Sequence, residues 1–210
     1  AIEALQLLTA GISFRRPHVL DLVREGESAA RAALTLMGDG RVVDMAVRVT
    51  NGKRRFERNG KKCPAAEVPQ TLMSVLFNPD DLSFVKRGAS YRRDELDGFG
   101  RQANRGYGRL LAAYQRTIEQ RNHLLREEHP DLSMLAAWDA SAAAGGASLL
   151  SARLRLFCRL RDHLVKAYGE IAPGERLTCT YESSLGAEHE LVEASRELLT
   201  KRLMNALETT

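Results

Sequence analysis

Residues 32–58 read AALTLMGDGRVVDMAVRVTNGKRRFER, and this stretch decides how the first part of the chain folds. Runs rich in apolar and β-branched residues are separated by Gly38-Asp39-Gly40 and by Asn51-Gly52. These short breaks favour tight hairpin turns, because Gly, Asn and Asp tolerate the positive φ angles that such turns require. The predicted antiparallel strands are Ala32–Met37, Arg41–Val49 and Lys53–Arg58, with a further turn at Asn59-Gly60.

The flanking sequence extends this sheet into a small unit over residues 1–84. Ile2–Leu8 carries apolar residues at helical spacing and is followed by Gly11, which predicts a short helix that stops there. Asp21 can cap a second short turn. Thr71–Phe77 is an apolar run bounded by prolines on both sides, and we interpret it as a buried strand.

Helical periodicity dominates after about residue 84. Tyr107, Leu111 and Tyr114 belong to one apolar stripe, and Gly145-Gly146 predicts either a kink or the close approach of another helix. Ser133 is the expected cap of the following helix. The predicted helices are Tyr91–Phe99, Gln102–Glu127, Ser133–Tyr168 and Glu188–Leu207, with a strand at Leu177–Tyr181. The fold class is therefore α+β: mainly antiparallel strands over 1–84, then a mostly α-helical lobe of antiparallel long helices over 85–210.

Composition narrows the function classes. The 210 residues carry a net charge of +4, and 44% of them are hydrophobic, which excludes a disordered tail, a collagen-like fibre and a disulfide scaffold. Residues 1–62 hold twelve Lys and Arg against seven Asp and Glu, so the positive charge is concentrated there. This asymmetry permits a nucleic-acid partner without requiring one. Three widely spaced cysteines, with no zinc spacing, and the absence of a membrane-length apolar run suggest a cytoplasmic location.

The first candidate site is a basic hairpin that contains Lys53, Arg54, Arg55, Lys61 and Lys62. Because the side chains of a strand alternate between its faces, Lys53, Arg55 and Lys61 are expected on one side. Such a row can neutralise phosphates and release counterions. The alternative is an exposed sheet edge that charge protects from aggregation.

Two further candidates follow along the chain. Lys86, Arg87, Arg92 and Arg93 surround a glycine turn that opens a helix and can grip an anion; the alternative is a solvated helix start. The end of the predicted strand is followed by Asn78, Asp80 and Asp81. Carboxylates at a strand end can orient a metal-bound water. The alternative is that they cap a helix. The five histidines show no ligand spacing, and no complete catalytic constellation is visible.

Several segments, in order along the chain, resemble the RecF family of DNA replication and repair proteins. The similar segments are the helix at Ile2–Gly11, SFRR at Ser13–Arg16, LFNPDDL with Val85-Lys86, Arg92-Arg93 with Leu96-Asp97, Tyr107–Arg126, Trp138-Asp139, Gly146-Ala147 and Arg153. Each segment alone is weak, and their shared order over about 180 residues carries the resemblance.

The resemblance implies an ABC-type ATPase of which this chain is a central part. Residues 1–84 would be part of the head and 85–210 the helical arm. The Walker A loop would lie just before Ala1, and the signature motif and Walker B acid would follow Thr210. ATP and Mg²⁺ are then expected in the full-length protein, with no cofactor and no catalytic residue in this chain, which should be inactive alone. Asn78, Asp80 and Asp81 would occupy the Q-loop position and sense the nucleotide.

The resemblance also implies DNA as a partner, at junctions of single and double strand, together with recombination-mediator proteins and a second copy of the chain. No membrane partner is implied. The residues expected to contact DNA are Arg15, Arg16, Lys53, Arg54, Arg55, Lys61, Lys62, Lys86, Arg87, Arg92 and Arg93. The alternative hypothesis is a helical arm that binds proteins or dimerises without touching DNA.

Overall fold

The computed structural model describes residues 1–15, 17–77, 79–84 and 86–209. The chain divides into two compact units. Unit 1 comprises Ala1–Arg92 and Arg101–Arg105, and unit 2 comprises Arg93–Gly100 and Gly106–Thr210. No helix in the described ranges is long and apolar enough to cross a membrane.

Unit 1 is built around a four-stranded antiparallel sheet in the order β1-β2-β3-β4. At each hairpin, Asp39, Asn51 or Asn59 has a φ near +50° and the next residue is a glycine with positive φ. This is the turn geometry that the sequence predicts, and the three hairpins are confirmed. The elements are α1 Ile2–Ala10, β1 Ala29–Gly38, β2 Arg41–Thr50, β3 Lys53–Arg58 and β4 Lys61–Cys63, with 3₁₀ turns at Val19–Leu22, Ala65–Gln70 and Pro79–Ser83.

One face of the sheet, the inner face, packs against α1 and forms the core of unit 1. Met45, Val47 and Phe56 on this face are almost completely buried together with Leu7 and Leu8 of the helix. The helix ends where expected, because Gly11 adopts a φ of 72° and its N–H caps the carbonyl of Leu7. Asp21 accepts a hydrogen bond from the backbone N–H of His18 and thereby closes the predicted short turn.

The predicted strand at Thr71–Phe77 is wrong. Residues 72–77 belong to no strand, and Val75 remains 79% exposed. A strand needs a neighbour for its backbone hydrogen bonds, and β4, the last strand of the sheet, pairs only with β3 in the described part of the chain. The backbone N–H of Ser74 donates instead to the side chain of Gln102. Apolar content therefore predicted a strand at a place where no described strand pairs with it.

Unit 2 contains a pair of long antiparallel helices. The helices that supply residues to it are α2 Ala89–Ala103, α3 Arg105–Leu124, α4 Leu132–Ile171, α5 Glu188–Glu193 and α6 Arg196–Glu208. Tyr107 and Leu111, near the start of α3, pack on Leu149 of α4, and Arg121, near the end of α3, pairs with Asp139 near the start of α4. The order of these contacts confirms the antiparallel arrangement.

The glycine pair in α4 serves close packing, since the helix is continuous through it. A Cβ atom added to Gly146 would lie 3.1 Å from the ring of Tyr114 and 3.2 Å from Leu203 of α6. Asp131, rather than Ser133, caps α4, because its carboxylate accepts the backbone N–H groups of Ser133 and Met134. The hydroxyl of Ser133, which donates to the same carboxylate at 2.6 Å, and then these two backbone hydrogen bonds hold the pKa of Asp131 below its usual value.

Two predictions for the C-terminal region are wrong. Leu177–Tyr181 forms no strand, although its side chains alternate between half-buried and exposed. The single helix predicted over Glu188–Leu207 is two helices, because Ala194 and Ser195 have extended backbone angles. Ser195 then starts α6 by accepting the N–H of Leu198.

Candidate nucleic-acid interface

A row of three arginines crosses the outer face of the sheet. Register places Arg31 of β1 opposite Arg48 of β2, and Arg48 opposite Arg55 of β3. Phe56 and Val47 point into the core, so the alternation of each strand directs these three arginines to the other side, where all are exposed. With strands about 4.8 Å apart, the row spans about 10 Å between its outer Cα atoms.

Two lysines enlarge this row into a cationic face. Lys53 and Glu57 are each two residues from Arg55 on β3 and therefore lie on the outer face. Lys62 lies opposite Glu57, so both lysines share this face with the arginines. We call the set Arg31, Arg48, Lys53, Arg55 and Lys62 the cationic face. The expectation that Lys61 shares one side of the sheet with Lys53 and Arg55 is wrong, because Lys61 lies opposite Arg58 and therefore belongs to the inner side.

The outer face also carries two carboxylates, Asp44 and Glu57, so the positive charge of the cationic face is compensated only in part. In the described part of the chain, no ion pair joins any of its five cations to a carboxylate. Asp44, on the same face, accepts a hydrogen bond from Thr35 at 2.7 Å. Like charges directly opposite one another destabilise a sheet by roughly 0.2–1 kcal/mol per pair. The arrangement thus raises the energy of the isolated sheet and suits an anionic ligand.

The structure separates other predicted cations from this face. Arg54 lies on the inner side and donates to the carbonyl of Gly11 at 3.4 Å. Arg15 is exposed but lies 3.7 Å from the carboxylate of Glu3. Arg16 lies outside the described residues. Sequence clustering therefore grouped cations that the fold places on different sides.

A second basic group surrounds the start of α2. Lys86, Arg87 and Arg92 are exposed, and Arg92 donates to the carbonyl of Arg87 at 2.6 Å. The Arg87 guanidinium lies over the ring of Tyr91, 4.5 Å from its centroid. Arg93, the next residue of α2, is exposed and is assigned to unit 2.

The predicted nucleotide-sensing loop is described only in part. Asn78 lies outside the described residues, and the structure does not describe the side chain of Asp80. The carboxylate of Asp81 accepts a long hydrogen bond, 3.4 Å, from the hydroxyl of Tyr91. Among the described residues no group of His, Cys, Asp and Glu could hold a metal ion.

Asp97, which belongs to the motif of Arg92-Arg93 with Leu96-Asp97, lies in a buried ionic cluster in unit 2. Arg153 of α4 binds both carboxylate oxygens of Asp97, at 2.8 and 2.7 Å, and the hydroxyl of Tyr107 donates to the same carboxylate. Burial, and then the hydrogen bond to Asp97, raise the pKa of Tyr107 well above its usual value. Burial lowers the pKa of Arg153, but its bonds to Asp97 outweigh that effect and raise it. The cluster holds helices together and is not an exposed binding surface.

Sequence reasoning missed two members of the cationic face. Arg31 lies just before the predicted first strand, which the structure begins earlier, at Ala29, and Arg48 is a single cation inside an apolar strand. The signal is present in the alternation of β2, where Val47 and Val49 flank Arg48. Only the register between strands shows that both arginines align with Arg55.

Comparison with known proteins gives a consistent result. No family model matches the chain. It is 32% identical to the DNA replication and repair protein RecF of Rhodococcus erythropolis, over 89% of this chain and 49% of that protein. It is 31% identical to RecF of Gloeobacter violaceus, over 96% of this chain and 56% of that protein. The chain thus spans about half the length of the curated relatives it matches.

Solved structures give the same relationship in three dimensions. The recombination mediator protein RecF of the RecFOR pathway, in its RecF-ATP structure, superposes with a TM-score of 0.91 and 27% identity. The RecF-ATPrS structure gives 0.90 and 28%. Both matches cover nearly all of this chain and 57% of the other. The α+β class and the resemblance stated from the sequence motifs are therefore confirmed.

Proposed function

Because this chain is homologous to the RecF proteins over about half of their length, we propose that it is part of a RecF-like DNA replication and repair ATPase whose cationic face binds DNA. One observation carries the assignment of that face. Arg31, Arg48 and Arg55 stand in register across three strands without an ion pair in the described structure. A polyanion would relieve their mutual repulsion.

The expected binding is independent of sequence and sensitive to salt. Arginine and lysine neutralise backbone phosphates and release condensed counterions, and those contacts carry no base information. The outer face also carries Ala33, Ala46 and Thr50, whose side chains are too short to obstruct a flat approach. DNA should therefore lie across the strands through its backbone.

The test compares two neighbouring arginines on opposite faces of β3. Arg55→Gln should weaken binding of a labelled duplex and lower the salt slope of log K by about 0.9 for each phosphate that is no longer neutralised. Arg54→Gln removes the same charge from the inner side and should leave the slope unchanged. Fluorescence anisotropy at rising salt measures both. Equal effects of the two variants, or salt-insensitive binding, would contradict the proposal.

We extend the proposal to the full-length protein. It would bind and hydrolyse ATP with Mg²⁺ in an ABC-type head completed by segments other than the one described here, and this chain alone would be inactive. Asn78, Asp80 and Asp81 would sense the nucleotide. Two copies and recombination-mediator proteins would assemble at junctions of single-stranded and double-stranded DNA, in the cytoplasm. Residues 1–84 would belong to the head and 85–210 to the arm.

A second candidate function is a protein-binding helical arm without direct DNA contact. It is favoured by the exposed apolar residues at the start of α4, where Leu132 is 73% exposed and Met134 is also exposed. Replacing Lys53, Arg54 and Arg55 together with Glu separates the two functions. Loss of DNA binding with normal folding favours the DNA-binding face, whereas unchanged binding favours the arm.

A further inference from the structure

Phe84, Arg87 and Tyr91 form a small cluster between the turn Pro79–Ser83 and the start of α2. The rings of Phe84 and Tyr91 meet edge to face, with centroids 6.3 Å apart and planes at 69°. Arg87 covers the Tyr91 ring at 4.5 Å. Phe84 is 41% exposed, and it is absent from the described hydrophobic core of unit 1. An aromatic ring thus stands at the surface beside cations instead of in the core.

The cationic face lacks this kind of residue. Phe56 is the only aromatic residue of the four strands, and it is 3% exposed on the inner face. The cations of that face can bind a phosphate backbone, but the face offers no aromatic ring on which a base could stack. The cluster at Phe84 has both kinds of group, because Arg87 lies on the Tyr91 ring and the exposed cations Lys86 and Arg92 lie within two residues of Phe84 or Tyr91 along the chain.

We propose that the Phe84–Arg87–Tyr91 cluster is a stacking site for an unpaired nucleobase of single-stranded nucleic acid, an inference that rests on the proposed DNA binding of this chain. Proteins that bind single strands combine cations along the backbone with aromatic side chains on which bases stack. The planar guanidinium of Arg87 already stacks on the face of the Tyr91 ring. A base can stack on the exposed side of the Phe84 ring while Lys86 and Arg92 contact the adjoining phosphates.

The experiment measures affinity for single-stranded oligothymidylate and for a duplex of equal length, again by fluorescence anisotropy. Phe84→Leu keeps apolar bulk but removes the ring, and it should weaken single-strand binding about 5-fold to 150-fold, the range for one stacked base. Duplex binding should not change. Phe99→Leu is the matched control, because Phe99 is 40% exposed and lies outside the cluster; it should alter neither affinity. Equal losses for both ligands, or no loss, would overturn the proposal.

Photocrosslinking of the unaltered protein provides a second measurement that does not depend on the folding of any variant. Oligothymidylate substituted with 5-iodouracil should form adducts on Phe84 or Tyr91, located by mass spectrometry of the peptides. Adducts found only elsewhere would overturn the proposal. If Arg55→Gln leaves duplex binding unchanged while adducts still form at Phe84, the cationic face fails and the stacking site stands. If Arg55→Gln weakens duplex binding and no adduct forms on Phe84 or Tyr91, the cationic face stands and the stacking site fails.

Discussion

Replacing Arg48 with Gln should make the sheet more stable while it weakens DNA binding. Arg48 is the central member of the arginine row and faces a like charge on both sides, Arg31 and Arg55. Each directly opposed like-charge pair destabilises a sheet by roughly 0.2–1 kcal/mol. Removing the central charge abolishes both pairs, so Arg48→Gln should stabilise unit 1 by about 0.4–2 kcal/mol at low salt.

The expected effects are graded by position. Arg31→Gln and Arg55→Gln each remove one opposed pair, so each should give about half the stabilisation of Arg48→Gln. Arg48→Lys keeps the charge and should leave stability nearly unchanged. Hydrogen exchange of the backbone amides of Val47 and Val49 measures the local free energy of opening of β2 itself.

Salt provides the decisive control. At about 1 M salt the Debye length is about 3 Å, shorter than the strand spacing of about 4.8 Å, so the repulsion between exposed arginines is largely screened. The stabilisation by Arg48→Gln should therefore shrink greatly at high salt. A destabilising effect at low salt, or an equal effect at both salt concentrations, would refute the reasoning from like-charge pairs.

Substitutions at three other places test the helical unit: the Arg153–Asp97 pair, the glycine pair of α4 and the cap Asp131. Arg153→Met should cost about 3–5 kcal/mol of stability in urea denaturation, because it leaves the buried carboxylate of Asp97 without its cation, and adding Asp97→Leu should recover part of the loss. Gly145→Ala should stabilise α4 by about 0.8–1 kcal/mol, whereas Gly146→Ala should gain less or nothing in the same assay, because its Cβ would crowd an α3 ring at 3.1 Å. The ionised carboxylate of Asp131 caps α4 at pH values above its folded-state pKa, which is lower than usual. Asp131→Ala should therefore lower the melting temperature at neutral pH, and much less at pH values below that pKa, where the unsubstituted carboxyl group is protonated. An equal effect in acid would contradict the assignment.

Local chemistry made the hairpins of unit 1 predictable. Asn51-Gly52 and Asn59-Gly60 supply the two positive φ angles that a tight turn demands, and no distant contact is needed to specify them. Gly11 ends α1 for a similar local reason. Features fixed within a few residues were therefore visible in the sequence.

Features that depend on a neighbour were not predictable in the same way. Thr71–Phe77 and Leu177–Tyr181 have strand-like composition, but a strand also requires an adjacent backbone to complete its hydrogen bonds. The arginine row depends on the register of three strands, which periodicity within one strand cannot provide. For that reason the cluster at Lys53–Lys62 was recognised, while Arg31 and Arg48 were not.

Arginines in the two units differ in their partners, and this difference sets the direction in which their substitution changes stability. In unit 2, Arg153 pairs with Asp97 and Arg121 with Asp139, both largely buried. On the cationic face, Arg48 is exposed between two further arginines. Removing one partner of a buried ion pair destabilises the protein, whereas removing a cation that stands between like charges stabilises it. Substitution of Arg48 and of Arg153 should consequently change stability in opposite directions.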